Sequence, residues 1–337
     1  MKIKRIILLF ILSVLILPGS AYSMTIRIGS VARTGSQWDQ TLKKLQKEWK
    51  EITRGEVKIQ VKNGGVMGSE YDMIQEMRSR ELEGAAFFNR GLPRICPEVY
   101  MFTVPLIIAS EAEHDYVFTQ MKPTFEKKIA ANGFKVVTWS LSGWLKLFSK
   151  HPVFYPGDLQ KHNLSLTTWN PDIEEGWRDL GFHVVPTDFK DLKMALQSGM
   201  VDAFFLSPLE ANDGGYFTLA PNMCTQTSGP EYWCIVLTAE TWTNIPDQYK
   251  KQMKETAEKL SKELYKNILE LEKKAIEEME EQDLLVNKLP ADALEKWQNV
   301  VGKGLDKLTE KDSLLKKAFE RMIKYLKEYR EKKPQRP

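Results

Sequence analysis

The residues whose chemistry would be most telling are four histidines, His114, His151, His162 and His183, and three cysteines, Cys96, Cys224 and Cys234. The histidines are scattered without metal-ligand spacing, so they nominate no metal centre. No G-x-S-x-G, P-loop or dinucleotide fingerprint occurs. The acidic residues fall mostly on solvated helix faces, and nothing singles out a catalytic pair of carboxylates. Three cysteines in 337 residues are not a disulfide framework. In an exported chain Cys224 and Cys234 could bridge across a hairpin-like excursion, leaving Cys96 over. The pattern points to binding rather than catalysis, with no cofactor or metal implied.

The elements that must position a binding site are built around Leu192–Pro208, LKMALQSGMVDAFFLSP. Leu192, Ala195 and Leu196 recur at helical spacing, Gly199 is placed to stop the helix, and Ala203–Leu206 reads as a short buried strand. The chain carries the same unit upstream: 75–87 runs in step with 194–206, with Met77 over Leu196, Ser79 over Ser198, Leu82 over Val201 and Gly84 over Ala203. Two such αβ units, half a chain apart, predict two similar lobes with a ligand site between them.

Lys2, Lys4 and Arg5 precede a largely apolar run, Ile6–Leu17, then Pro18-Gly19 and small residues at Ala21 and Ser23. The run is too short to span a bilayer, so residues 1–23 read as a secretory signal cleaved before Met24. Without it the 48 basic residues become 45, matching the 45 acidic ones. That balance removes any compositional case for nucleic acid. Roughly 310 residues remain, enough for two lobes with real cores.

From Thr25 the order is strand, helix, strand, helix, strand. Trp38, Leu42, Leu45 and Trp49 mark the first helix, with Ser36 or Asp39 as its cap, and Ser69 caps the second. Further on, a helix over 110–132 is followed by a strand at Val136–Leu141. The chain then crosses to the second lobe near Gly143, and Tyr232–Leu237 brings it back. From Asp247, apolar residues Tyr249, Met253, Ala257, Leu260, Leu264, Ile268, Leu271, Ala275 and Met279 follow an 11-residue pattern, close to the period of a straight helix. About 35 residues of it give a rod of about 50 Å.

Several stretches, in order and spacing, resemble the DctP-type substrate-binding subunits of tripartite ATP-independent periplasmic (TRAP) transporters. They are Gly64–Glu70, Lys150–Val153 with Pro156–Leu159, Ala195–Asp202, and Thr241-Trp242 followed by Ile245-Pro246. The resemblance implies a periplasmic, two-lobed α/β solute-binding fold of the Venus-flytrap kind, with a long C-terminal helix spanning both lobes. It also implies delivery of a small ligand to membrane permease subunits. The division expected is 24–143 for lobe I, 144–231 for lobe II, 232–280 for the return and spanning helix, and 281–337 for C-terminal helices packed on lobe II.

The departures define the expected ligand. Relatives that bind organic acids clamp the carboxylate with arginines where this chain has Ser165 and Leu145, and carry polar residues where it has Phe204, Phe205, Leu206 and Ser207. Serine and leucine cannot imitate an arginine fork. With Trp38, Glu70, Trp144 and Trp169 these residues form the candidate binding set. They predict a cleft for an apolar or amphipathic ligand. Some relatives with altered clefts pair with a helical-repeat periplasmic protein. The competing reading is therefore an interaction module that uses the two-lobed body and charged C-terminal helices. An exposed apolar stripe on the long helix would favour it.

Overall fold

The computed structural model describes residues 23–167 and 171–332. Nearly all of the expected signal segment lies outside the described residues, as does Trp169. The first βαβαβ run is β1 (Met24–Ser30), α1 (Gln37–Ile52), β2 (Val57–Lys62), α2 (Glu70–Arg78) and β3 (Gly84–Phe87). The Ser36 hydroxyl accepts from the Asp39 N–H at the start of α1, which buries Trp38, Leu42, Leu45 and Trp49. A reciprocal cap between Ser69 and Asp72 starts α2. There follow α3 (Leu92–Ile95), a 3-10 turn at Pro97–Thr103, α4 (Glu111–Ala131) and β4 (Phe134–Ser149).

The second half contains α5 (Pro156–Leu159), β5 (Asn163–Leu166), α6 (Pro171–Asp179), β6 (His183–Pro186), α7 (Leu192–Ser198), β7 (Ala203–Leu206) and α8 (Pro208–Gly214). It also has a 3-10 turn at Phe189–Asp191. Then come β8 (Asn222–Thr238), α9 (Ala239–Asn244), α10 (Asp247–Glu280), β9 (Leu285–Asn287), α11 (Ala293–Lys311) and α12 (Ser313–Lys332). Gly199 closes α7 at φ 78°, a left-handed value that glycine reaches without strain. The two internal repeats agree with each other in register: β3 begins at Gly84 and β7 at Ala203, the pair aligned in the sequence.

Two lobes share one sheet of strand order β2-β1-β3-β8-β4-β7-β5-β6, with β9 on β8. Strands β4 and β8 pair antiparallel along their whole lengths and run through both lobes. The repeated strands flank this central pair at opposite ends, β3 on β8 and β7 on β4. The expected crossings near 143 and 232 therefore fall inside long strands rather than in connecting loops. The ladder is irregular there, with register shifts between Leu141 and Trp144 and again between Leu145 and Lys146. Gly143 sits at φ 117°, where a Cβ would run into the Glu272 carboxylate of α10.

Because Cys224 and Cys234 lie on the one extended strand β8, the expected bridge is corrected. Ten residues of strand separate their Cα atoms by about 33 Å, far beyond the reach of a disulfide, and all three cysteines are free and buried.

The long helix α10 packs on α1 and β4 and reaches α8, so it spans both lobes. Its stripe is spent inside the protein: Met253, Ala257, Leu260, Leu264, Ile268, Ala275 and Met279 are buried. This counts against the interaction-module reading. The placement of the C-terminal helices also needs correction. Helix α11 packs on α6 of the second lobe, but α12 packs on α4 and the 97–103 turn of the first. Leu315, Ala318, Met322 and Leu326 bury their stripe there, and Arg330 forks onto Glu113 at 2.7 and 2.9 Å.

Candidate functional site

A chamber of about 400 Å³ lies between the lobes. The segment after β3 supplies Arg90 and Tyr100, the central strands supply Leu145 and Glu231, and the second lobe supplies Ser165 and Phe205. A second chamber of about 320 Å³ continues on the other side of Arg90 and Phe189, with Trp38, Glu70 and Glu210 in its wall. Behind the first lies a strongly apolar recess of about 90 Å³ under α11, and Tyr100, Trp177 and Phe205 line both spaces.

The sequence-derived set divides accordingly. Leu145, Ser165, Phe204 and Phe205 line the larger chamber, and Trp38 and Glu70 the smaller. Leu145 and Ser165, the two places where the resemblance expects arginine, therefore line this chamber. For the others the expectation is corrected. Leu206 is 1 % exposed in the core beneath β7. Ser207 caps α8, its hydroxyl accepting from the Glu210 N–H. Trp144 packs into the first-lobe core. Trp169 lies outside the described residues. Glu70 lines a chamber, yet both of its oxygens are engaged by backbone, Oε1 accepting from Phe88 N at 2.8 Å and Oε2 from Gly91 N at 2.5 Å. It positions the 88–91 loop rather than offering a free acceptor, and burial pushes its carboxyl up to about 7.

What that loop presents is Arg90, which sequence reasoning missed and which corrects the picture of a uniformly apolar cleft. Asn89 fastens the loop from the other side, accepting from Tyr232 N at 2.7 Å and donating to the Pro230 carbonyl at 2.9 Å. Arg90 then reaches across to the second lobe. Its Nη2 is 3.0 Å from Glu210 Oε2 and 3.5 Å from Glu231 Oε1. The guanidinium carbon sits 4.0 Å from the Phe189 ring centre, a cation–π stack. The surrounding carboxylates outweigh its desolvation, so Arg90 stays charged. Burial and the neighbouring Glu210 hold the Glu231 carboxyl well above its usual range. In this arrangement Glu210 and Glu231 both engage Nη2 of the guanidinium.

The histidines do other work. His114 Nε2 pairs with the Tyr232 hydroxyl at 2.8 Å inside an aromatic cluster, and His151 stacks on His162. Among the described residues no group of three or more His, Cys, Asp or Glu could hold a metal ion. No helix among them is long and apolar enough to cross a membrane.

Two α/β lobes on a shared sheet, with a ligand-sized chamber at their junction, define a solute-binding protein. The chain belongs to the bacterial extracellular solute-binding protein family 7 (DctP), whose family model matches residues 28–312. A solute-binding protein of Chromohalobacter salexigens is 25 % identical over 228 residues, covering 66 % of each chain. Solute-binding protein RD1_1052 of Roseobacter denitrificans is 23 % identical over 67 % of this chain and 70 % of its own. Among solved structures, a TRAP periplasmic solute-binding protein from Desulfovibrio salexigens with bound orotic acid superposes with a TM-score of 0.83 at 18 % identity. The match covers 92 % of this chain and 99 % of that one. Another from Chromohalobacter salexigens, with bound D-glucuronate, gives a TM-score of 0.81 at 19 % identity, over 89 % and 99 % of the two chains.

Proposed function

We propose that this protein is the periplasmic receptor of a TRAP-type transporter, taking up an amphipathic ligand between its lobes and delivering it to the membrane permease subunits. Lobe I is assigned to 24–143 with the return from 232, lobe II to 144–231, and the hinge to the irregular ladder around Gly143. The secretory signal read in residues 1–23 supports the location. The solved relatives named above hold a sugar acid and orotic acid, so the reading departs from them on ligand class.

The observation that carries it is the apolar recess against the chamber. A ligand whose polar end lies near Arg90 can place a hydrocarbon or aryl tail past Phe205 and Trp177, toward Leu147, Leu180 and Leu305. Burying each methylene there contributes about 0.8 kcal/mol, enough to make tail length the main determinant of affinity.

Gly176 on α6 lines the recess, and a Cβ added there meets no atom within 4 Å. Gly176→Phe should therefore fold, gaining helix propensity, while filling the space. Calorimetric titration with 1-octanol and 1-butanol checks this. The variant should bind octanol at least tenfold more weakly than the parent and butanol nearly unchanged. Equal octanol affinity in both proteins would remove the recess from the site.

A further inference from the structure

Two residues that line the larger chamber each keep one polar atom without a hydrogen bond. Arg90 Nη1 and Glu231 Oε2 are buried and find no hydrogen-bond partner among the described residues. The Glu231 side chain is 2 % exposed, and it lines the larger chamber together with Arg90. A buried donor and a buried acceptor left unmet are both costly, and a native protein seldom carries them without a reason. Arg90 Nη2 and Glu231 Oε1 are 3.5 Å apart, so the two unpartnered atoms belong to side chains that are already neighbours.

Resting on the amphipathic reading above, we propose that the ligand's polar head is an uncharged group that both accepts and donates, a primary amide or a hydroxyl. It accepts from Arg90 Nη1 and donates to Glu231 Oε2. The other head chemistries fit less well. A carboxylate can accept from Arg90, but it meets Glu210 across the same guanidinium, and burial that already disfavours a charge on Glu231 disfavours a further anion beside it. An ammonium can donate to Glu231, but it leaves Nη1 unmet and confronts the Arg90 charge. Arg94 also lines the chamber, though its guanidinium is exposed and stacked on Tyr71 at 4.9 Å, so water screens it. Glu70 is held by backbone N–H groups and is not available to a head group. Arg90 and Glu210 come from opposite lobes. The head is therefore reached while the lobes are apart and enclosed when the Arg90–Glu210 contact forms.

The test uses three probes with one tail: octanamide, octanoate and octylamine, titrated calorimetrically into the full-length mature protein at pH 7.5. Octanamide should bind at least tenfold more tightly than either charged analogue. Glu231→Leu, its fold verified by circular dichroism and a cooperative melt, should erase most of that margin by removing the acceptor that octanamide uses. Octanoate or octylamine binding as tightly as octanamide to the parent protein overturns the head assignment while leaving the amphipathic cleft standing. No binding of any of the three overturns the amphipathic reading and the head assignment with it.

Discussion

Arg90→Met should lower stability by about 3–5 kcal/mol at pH 8, the usual consequence of removing one partner from a buried ionic cluster. Glu210 and Glu231 would then face each other with no cation between them, and Glu70 would lose the nearby charge that favours its ionised form. The deficit should shrink as pH falls. Without the guanidinium the Glu231 and Glu70 carboxyls are held further above their unfolded values, so the folded state takes up protons that the unfolded chain does not, and acid favours folding. Thermal melts at pH 8 and pH 5 check this: a large drop at pH 8 that is partly recovered at pH 5. A variant as stable as the parent at both values would show that Arg90 is dispensable to the closed cleft.

A second large effect is expected at the ladder irregularity around Gly143. Glu272 on α10 accepts from the Trp144 N–H at 3.3 Å, beside the ladder irregularity. Burial pushes its carboxyl up to about 7, against the opposing pull of that N–H and of Lys146. The unfolded carboxyl titrates near 4.5. Stability contributed by the protonated form is therefore fully present below that value and is lost as pH rises through about 7. Glu272→Gln keeps an acceptor for Trp144 and removes the ionisable proton. It should stabilise by about 1–3 kcal/mol at pH 8 and change little at pH 4.5, flattening the pH profile without abolishing it, since Glu70 titrates in the same direction. A variant less stable than the parent at both pH values would mean that the Glu272 charge is favourably paired with Lys146.

Much of the fold was legible because it rests on local signals. The paired αβ units, the Gly199 stop, the Ser36 and Ser69 caps and the α10 stripe all depend on residues within a turn or two of each other. The long strands were not. Gly143 interrupts β4, and the stretch between Cys224 and Cys234 reads as a hairpin-like excursion although it continues β8, because pairing of the two strands with each other supplies what their local sequence lacks. Helix α8 was missed where a signal did exist: Ser207 and Pro208 with Glu210 at the third helical position are a recognisable helix start. Ser207 was read as a ligand contact instead.

The candidate site was legible in its substitutions and not in its charges. Leu145, Ser165 and Phe205 could be located because a resemblance marks their places. Arg90 could not, because Asn89-Arg90-Gly91 looks like any polar turn. Its burial depends on Glu210, 120 residues away, and on Glu231 in the return strand. A buried arginine is tolerable only with such partners in place, and no local pattern announces them.

The cleft is proposed to hold an amphipath rather than an organic acid. The most direct measurement is to purify the exported, mature protein without added ligand, denature it, and identify the released small molecule by mass spectrometry against protein concentration. The account predicts a near-stoichiometric molecule with one polar head, a hydrocarbon or aryl tail and no carboxylate. A sugar acid or dicarboxylate recovered at one equivalent would contradict it.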